Sequence, residues 1–421
     1  MHQKTTLKNG LRIITAPMNG TETVTVLVLV GTGSKYETKD INGLSHFLEH
    51  LFFKGTKKRP NTLAIAETLD RVGGEYNAFT SQEITGYWAK VDAGHLDLAL
   101  DWVSDIFLNS KLKEKEIEKE RGVILEELNM YLDTPIKYVS DLWTDLLYGD
   151  QPAGWRVIGT KETIKSVKRS QFIDYFKKHY LTQNTLITAA GKINSNDTIK
   201  KIEKYFSKIQ AGQPKTKLKV KEKQTRPKTL IHYKKTDQTH LYLGVRAYDL
   251  FHPDKYALGI LATILGGYMS SRLWIRVRER EGLGYYIRTG AETDTDSGYL
   301  ATRAGIDNKR VDRAIKLILD EYKRIREKKV SEDELKKAKD NIKGGTLLEM
   351  ESSDAQASFY AGQEILTNKI LTLEQKFAKI ESVTVGDVQR VAKDIFKPEK
   401  LNLALIGPFK DKERFDKLLI L

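Results

Sequence analysis

The sequence predicts an α+β protein built from two homologous α/β repeats, each a mostly antiparallel sheet covered by helices, with a linker between them. Short β-type segments alternate with long amphipathic helical segments along the 421 residues. Similar segments recur a little over 200 residues apart. A basic stretch at 211–228, which contains two prolines and a glycine, separates the halves.

The first half begins with a predicted hairpin, because segments 5–8 and 11–15 flank Asn9-Gly10. The run 24–30 is almost entirely apolar and β-branched, which is typical of a strand buried on both faces. Further strands are predicted at 75–80, 85–91 and 185–190. Helices are predicted at 62–72, 96–108, 114–132, 138–147 and 171–180, with a last one ending near residue 209.

The second half repeats this plan. Strands are predicted at 230–233, 240–245, 285–289 and 298–303, and helices at 255–265, 271–280 and beyond. Two short matches support the repeat: Gly86 and Gly298 lie in similar segments (298−86 = 212), as do Gly191 and Gly407 (407−191 = 216). We therefore expect a first domain at 1–210, a basic linker at 211–228 and a homologous second domain at 229–421. Two unrelated α/β domains are the alternative.

Composition narrows the classes of function. The net charge of +14 permits nucleic-acid binding, but Lys and Glu alternate along the helical stretches and the basic run at 215–228 contains no aromatic residue. No apolar run approaches the roughly 20 residues that a membrane span needs. We therefore expect no nucleic-acid or membrane partner. The first residues lack the apolar core of a secretory signal, so we expect a cytoplasmic location.

The most informative motif is H-x-x-E-H, formed by His46, Glu49 and His50. Four residues make about one helical turn, so both imidazoles point to one side, where they can hold one metal ion while the carboxylate reaches its bound water. The chain has no cysteine, which leaves nitrogen and oxygen ligands only. An amphipathic helix with two structural histidines is the alternative.

A catalytic zinc usually has three protein ligands, so one more is needed. Helix 114–132 offers Glu116, Glu120 and Glu127, although a Glu-rich helix is often simply a solvated face. At the equivalent offsets the second half has no pair of histidines. Only the first half is therefore expected to hold a metal.

These features together resemble the pitrilysin-type (inverzincin) zinc metallopeptidases, and within them the bacterial branch similar to the mitochondrial processing peptidase. Insulin-degrading enzyme belongs to the same family. The resemblance rests on the H-x-x-E-H helix and three further segments: Gly74-Glu75-Tyr76-Asn77-Ala78-Phe79-Thr80, residues 120–130, and Met269 through Tyr286.

The resemblance implies one Zn²⁺ per chain, with three protein ligands: His46, His50 and Glu127. The spacing 127−50 = 77 agrees with the family pattern, and the neighbouring Glu126 is the competing choice. Glu49 becomes the general base. Glu120 becomes the acid that orients a ligand.

The resemblance also implies residues that handle the substrate. Asn77, Ala78 and Phe79 match an edge strand whose backbone pairs with an extended peptide. Arg278 and Tyr285, in the second half, match an arginine and a tyrosine that the family brings to the metal site.

The resulting expectation is a zinc metalloendopeptidase that hydrolyses unfolded peptides or processes short extended segments. The chain corresponds to half of a clamshell, so a dimer would complete the chamber. A homodimer is enough, because both parts of the site are in one chain; a heterodimer with a related subunit is also possible. The alternative function is a non-catalytic core subunit of the same fold.

Overall fold

The computed structural model describes residues 2–421, which form two compact units. The first contains residues 2–129, Arg156–Leu218 and Leu347–Ile370. The second contains Met130–Trp155, Lys219–Thr346 and Leu371–Leu421. Each unit has its own sheet covered by helices, which confirms the predicted fold class.

The sheet of the first unit has six strands: β1 (Gln3–Thr6), β2 (Arg12–Pro17), β3 (Thr23–Val30), β4 (Glu75–Thr80), β5 (Thr85–Asp92) and β6 (Thr185–Gly191). Their order is β1-β2-β6-β3-β5-β4, and only β2 and β6 run parallel. The predicted hairpin is confirmed, since β1 pairs with β2 and Gly10 adopts φ +87° at the turn. Strand β4 lies at the edge of the sheet.

The sheet of the second unit has five strands: β7 (Lys228–Tyr233), β8 (Gln238–Arg246), β9 (Gly284–Thr293), β10 (Gly298–Asp307) and β11 (Leu401–Gly407). Their order is β7-β11-β8-β10-β9, with only β7 and β11 parallel. This is the order β2-β6-β3-β5-β4 of the first sheet. Gly86 and Gly298 fall in the equivalent strands β5 and β10, so the predicted repeat is confirmed in the topology.

The α-helices of residues 2–421 are α1 (Leu44–Leu51), α2 (Thr62–Asp70), α3 (Leu96–Asn109), α4 (Glu114–Asp133), α5 (Pro135–Tyr148), α6 (Lys161–Ser166), α7 (Arg169–His179), α8 (Ser195–Phe206), α9 (Lys255–Gly266), α10 (Val311–Glu327), α11 (Glu332–Glu349), α12 (Ser353–Thr367), α13 (Leu373–Glu381), α14 (Val385–Ile395) and α15 (Lys412–Asp416). The predicted helix at 271–280 is instead a π-helix over Trp274–Arg280. Within 207–227 there is neither helix nor strand, as expected of the linker. No helix among the described residues is long and apolar enough to span a bilayer.

The compact units do not follow the predicted boundaries 1–210 and 229–421, because each sheet takes one helix from the other half of the chain. Helix α12 packs on β3 and β6, where Ala357 and Ala361 join the cluster that contains Leu27 and Leu186. Helix α5 packs on β8 and β11, with Trp143 buried in their cluster. Small alanines let α12 approach its sheet closely, since they leave little side chain between the backbones.

Candidate metal centre

Helix α1 is held in the core by one apolar face. The residues that it buries there are Leu44, Phe47, Leu48 and Leu51. The Phe47 ring packs edge-on against Phe172 of α7, with 4.9 Å between ring centroids. Because this face is fixed, the opposite face of α1 presents the motif residues in a defined direction.

Helix α4 is anchored in a similar way. It buries Ile117, Ile124 and Leu128, and the Arg121 guanidinium donates to the backbone oxygens of Ile164 and Val167 beyond it. The Arg121 group also lies over the Phe47 ring at 5.7 Å from the centroid. The two helices that carry the predicted ligands are thus fixed against each other within the first unit.

The structure brings His46, His50 and Glu127 together. Glu127 Oε2 lies 3.7 Å from His46 Nε2 and 3.5 Å from His50 Nε2. Ligands about 2.1 Å from a tetrahedral zinc are separated by roughly 3.4 Å, so these separations fit one such ion. Among the described residues this is the one group of three or more His, Cys, Asp or Glu side chains arranged to hold a metal.

The competing choice, Glu126, does not join this group. Its side chain is exposed, as a residue about 100° further around the helix should be when Glu127 faces inward. Between the two neighbouring acids, the geometry therefore favours Glu127.

His50 is oriented by a buried carboxylate. Glu120, which is 2% exposed, places Oε1 2.9 Å from His50 Nδ1 and Oε2 2.6 Å from Lys54 Nζ. Burial raises the pKa of Glu120, but the hydrogen bonds from His50 and Lys54 outweigh it and lower the pKa overall. An ionised carboxylate only accepts, so His50 Nδ1 donates to Glu120, and Nε2 is the ring nitrogen left on the side of Glu127 for a metal.

The charges of the site also suit a cation. Burial, and then the nearby His50, lowers the pKa of His46 to about 3, so this imidazole is neutral over the physiological range. Burial lowers the pKa of His50, but its hydrogen bond to Glu120 and the negative charges of Glu49, Glu127 and Glu120 raise this pKa overall, so carboxyl groups dominate the electrostatics around the two imidazoles. A divalent cation would balance this excess of negative charge.

Glu49, the predicted general base, lies close enough to His50 and Glu127 for their charges to shift its pKa, and its carboxylate is held by a third residue. Its Oε2 accepts a hydrogen bond of 2.5 Å from Thr80 Oγ1, at the end of β4. Burial raises the pKa of Glu49, the charge of Glu127 raises it further, and the Thr80 hydroxyl opposes both. A carboxylate with a raised pKa is suited to accept and return a proton near neutral pH.

Strand β4 brings the other predicted residues to the same region. Asn77 and Phe79 are exposed, with Phe79 at 36%, while Ala78 and Thr80 alternate with them towards the other face. Strand β4 pairs with β5 on one side only; on its other side no strand of residues 2–421 pairs with it. Thr80, the last residue of this open-edged strand, donates the hydrogen bond to Glu49, so the edge ends beside the predicted base.

Arg278 and Tyr285 lie together in the second unit. The Arg278 guanidinium stacks over the Trp274 ring at 4.1 Å and over the Tyr285 ring at 5.3 Å from the centroids. The Tyr285 side chain is 75% exposed at the start of β9. Their approach to the metal stays a prediction.

Two residues of the site were missed by sequence reasoning. Lys54 follows His50 by four residues, one turn further along, and that spacing could have suggested it. Thr80 gives no such signal, because only the fold places the end of β4 beside α1. Both contact a predicted functional carboxylate directly.

Fold and site together define a protein of two related α+β units with one candidate metal centre. Residues 12–161 match the family model described as Insulinase (Peptidase family M16), and residues 166–342 match the one described as Peptidase M16 inactive domain. The chain therefore belongs to the M16 peptidase family, which confirms the pitrilysin-type resemblance. The three residues of the candidate metal centre lie in the segment that matches the insulinase description.

Relatives cover nearly the whole chain. An uncharacterised zinc protease of Bacillus subtilis, YmxG, is 36% identical over 97% of this chain and 98% of its own length. An uncharacterised zinc protease of Streptomyces coelicolor is 34% identical over 98% of this chain and 90% of its own. Neither match leaves out a segment large enough to contain one of the two units.

Solved structures show the same fold. A protease from Helicobacter pylori superposes with a TM-score of 0.90 at 25% identity, covering 97% of this chain and 99% of that one. A chain of complex III₂ from Candida albicans, solved with Inz-5 bound, gives a TM-score of 0.86 at 20% identity, with both chains fully covered. The second likeness concerns the fold alone.

Proposed function

We propose that this chain is a zinc-dependent endopeptidase that uses the H-x-x-E-H site to hydrolyse unfolded peptides or short extended segments. The observation that carries the proposal is the convergence of His46, His50 and Glu127, from two separate helices, at separations that fit one ion. The zinc-protease names of full-length relatives support the choice of metal.

The residues would divide the reaction between them. When bound, zinc would supply Lewis acidity and lower the pKa of a water molecule to about 7. Glu49 accepts the proton of the attacking water and passes it to the leaving amine, while Thr80 keeps its carboxylate in place. Glu120 and Lys54 hold the His50 ring in the orientation that leaves Nε2 available.

The substrate would bind as an added strand. The open edge of β4 offers backbone groups to an extended peptide, which a folded protein cannot present without local unfolding. Asn77, Ala78 and Phe79 line this edge. Because Thr80 of the same strand touches Glu49, a peptide on β4 would pass close to the proposed base.

The oligomeric part of the proposal rests on the family resemblance. A dimer of this chain would complete the chamber, with Arg278 and Tyr285 stabilising the charge that develops on the scissile carbonyl oxygen. A homodimer suffices, and a heterodimer with a related subunit would serve equally. The cytoplasmic location remains an expectation from the sequence.

The test compares wild type, Glu49→Gln and Glu126→Gln on an unstructured peptide mixture, with zinc content measured for each. We expect zinc in all three, cleavage by wild type and Glu126→Gln, and cleavage by Glu49→Gln reduced by orders of magnitude. Equal cleavage by Glu49→Gln would remove Glu49 as the base. Zinc binding without cleavage by any of the proteins would favour the non-catalytic core subunit.

A further inference from the structure

A second buried carboxylate, outside the site described so far, holds the start of the metal-binding helix. Glu37 is 3% exposed, and its side chain accepts three hydrogen bonds. Its Oε1 accepts from Ser45 N at 2.6 Å, and its Oε2 accepts from Gly43 N at 2.8 Å and from Asn42 Nδ2 at 3.1 Å. All three donors lie in the four residues that precede His46.

These hydrogen bonds cap the N-terminus of α1. The first amides of a helix have no partner within the helix, and usually the side chain of the N-cap residue accepts from one of them. Here the N-cap is Gly43, which has no side chain to offer. Glu37 accepts instead, six and eight residues upstream, and its carboxyl oxygens lie at the positive end of the helix.

The packing explains why the cap comes from elsewhere. Gly43 adopts φ +95°, and a Cβ there would lie 2.5 Å from the backbone oxygen of Ile158. Ser, Thr, Asp or Asn therefore cannot occupy the N-cap position. The close approach of 158–159 to the start of α1 demands glycine, and Glu37 replaces the cap that glycine cannot provide.

Two of the residues that donate to Glu37 are held by further hydrogen bonds. Asn42 Nδ2 also donates to Arg156 O at 3.1 Å, and Ser45 Oγ donates to the buried Tyr175 hydroxyl at 2.7 Å. Burial raises the pKa of Glu37 to about 7, although hydrogen bonds from Ser45, Gly43 and Asn42 lower it. A carboxyl group so costly to bury is a poor choice for filling space alone.

We propose that Glu37 is a positioning residue for the metal centre: by holding two amides at the start of α1, it fixes the tilt and rotation of the helix and so aims His46 and His50 at Glu127. His46 directly follows Ser45, whose amide Glu37 accepts, and His50 lies one turn further on. This inference rests on the proposed zinc site. It predicts that loss of Glu37 weakens metal binding in a protein that remains folded.

The experiment measures zinc affinity by competition with a chromophoric chelator, for wild type, Glu37→Gln and Glu364→Gln. The glutamine keeps one acceptor oxygen but must turn an NH₂ group towards a donor, so we expect zinc affinity to fall by about 10- to 100-fold, the usual effect of losing a group that orients ligands. The Co²⁺-substituted protein should also show a shifted visible absorption, since that band reports the geometry of the ligands.

Glu364→Gln is the matched control. Glu364 is 1% exposed in the same unit and accepts from Lys4 at 2.6 Å and Arg12 at 3.1 Å, but it lies on α12. If Glu37 acts through α1, both variants lose thermal stability and only Glu37→Gln loses zinc affinity. Equal losses of affinity in the two variants, or wild-type affinity and an unchanged Co²⁺ spectrum in Glu37→Gln, overturn the proposal.

A second variant covers the case in which Glu37→Gln does not fold, and wild-type protein shows separately whether the proposed function fails. If Glu37→Gln does not fold, Asn42→Ala is measured in its place, because it removes the side-chain donor to Glu37, together with the bond to Arg156 O, and leaves the carboxylate; a several-fold loss of zinc affinity supports the proposal and none overturns it. Failure of the proposed function is separate, because it shows as a wild type that binds no zinc or cleaves no peptide, whereas the Glu37 comparison needs no peptide.

Discussion

Replacing Glu120 by glutamine tests how much of the metal affinity depends on the orientation of His50. The substitution keeps the shape of the side chain and removes its charge. In the wild type one carboxylate joins His50 Nδ1 at 2.9 Å and Lys54 Nζ at 2.6 Å. Glutamine has a single acceptor oxygen, so it can accept from the His50 ring N–H or from the Lys54 ammonium but not from both. The other donor, in a largely buried place, loses its acceptor.

The size of the effect follows from these two contacts. A hydrogen bond to a charged group contributes about 1.5–3 kcal/mol, and 1.4 kcal/mol changes an equilibrium constant tenfold. Losing one such bond that holds a ligand should therefore weaken zinc binding by about 10- to 100-fold. This agrees with the general effect of removing a group that orients a metal-bound histidine.

The assay is a zinc titration against a chromophoric chelator at fixed pH, with Glu126→Gln as control. Glu126 has the same chemistry on the same helix but is exposed and outside the ligand group. The control should bind zinc like wild type. If Glu120→Gln also keeps wild-type affinity while its folding is intact, then the Glu120 carboxylate does not orient His50 and the reasoning fails.

Three further results are expected. Thr80→Val removes the hydroxyl that donates to Glu49, so kcat should fall by about tenfold with zinc content unchanged; loss of zinc instead would show that Thr80 supports the ligands rather than the base. Burial lowers the pKa of His179 from 6.5 to about 4, so the unfolded chain binds the proton more readily than the folded one. The contribution of neutral His179 to the free energy of unfolding is therefore full above pH 6.5 and is lost as the pH falls towards 4. His179→Phe should therefore lose less Tm than wild type between pH 7 and pH 5 in scanning calorimetry, and an equal loss would exclude His179 as a source of acid sensitivity. Removing zinc with EDTA should lower the Tm, and zinc at 100 times its Kd should restore about 2.7 kcal/mol; a Tm indifferent to zinc would argue against binding to the folded state.

Local patterns in the sequence predicted much of the fold. Asn9-Gly10 predicted the first hairpin, and the buried run at 24–30 predicted β3, because turn chemistry and side-chain alternation act over a few residues. The recurrence around Gly86 and Gly298 predicted the repeated sheet, and both glycines occupy equivalent strands.

The partner of each helix could not be predicted in this way. An amphipathic pattern shows that α5 and α12 each bury a face, but not which sheet that face meets. Both helices pack on the sheet built mainly from the other half of the chain. The compact units therefore depart from the contiguous segments that the basic linker suggested.

For the candidate site as well, residues within one helix could be predicted from the sequence, and contacts between separate elements could not. His46, Glu49 and His50 could be read from the spacing within one helix, and the resemblance selected Glu127 over Glu126. Thr80 and Glu37 act on α1 through contacts that only the folded chain creates. Glu37 in particular serves a helix whose own N-cap is a glycine, and the sequence shows no reason for that glycine until Ile158 is seen beside it.

The most direct test of the metal centre is a crystal structure of the zinc-loaded protein with diffraction data collected on both sides of the zinc absorption edge. We expect one anomalous peak per chain, about 2.1 Å from His46 Nε2, from His50 Nε2 and from a carboxylate oxygen of Glu127. A chain saturated with zinc whose peak lies elsewhere, or whose Glu127 points away from the ion, would contradict this expectation.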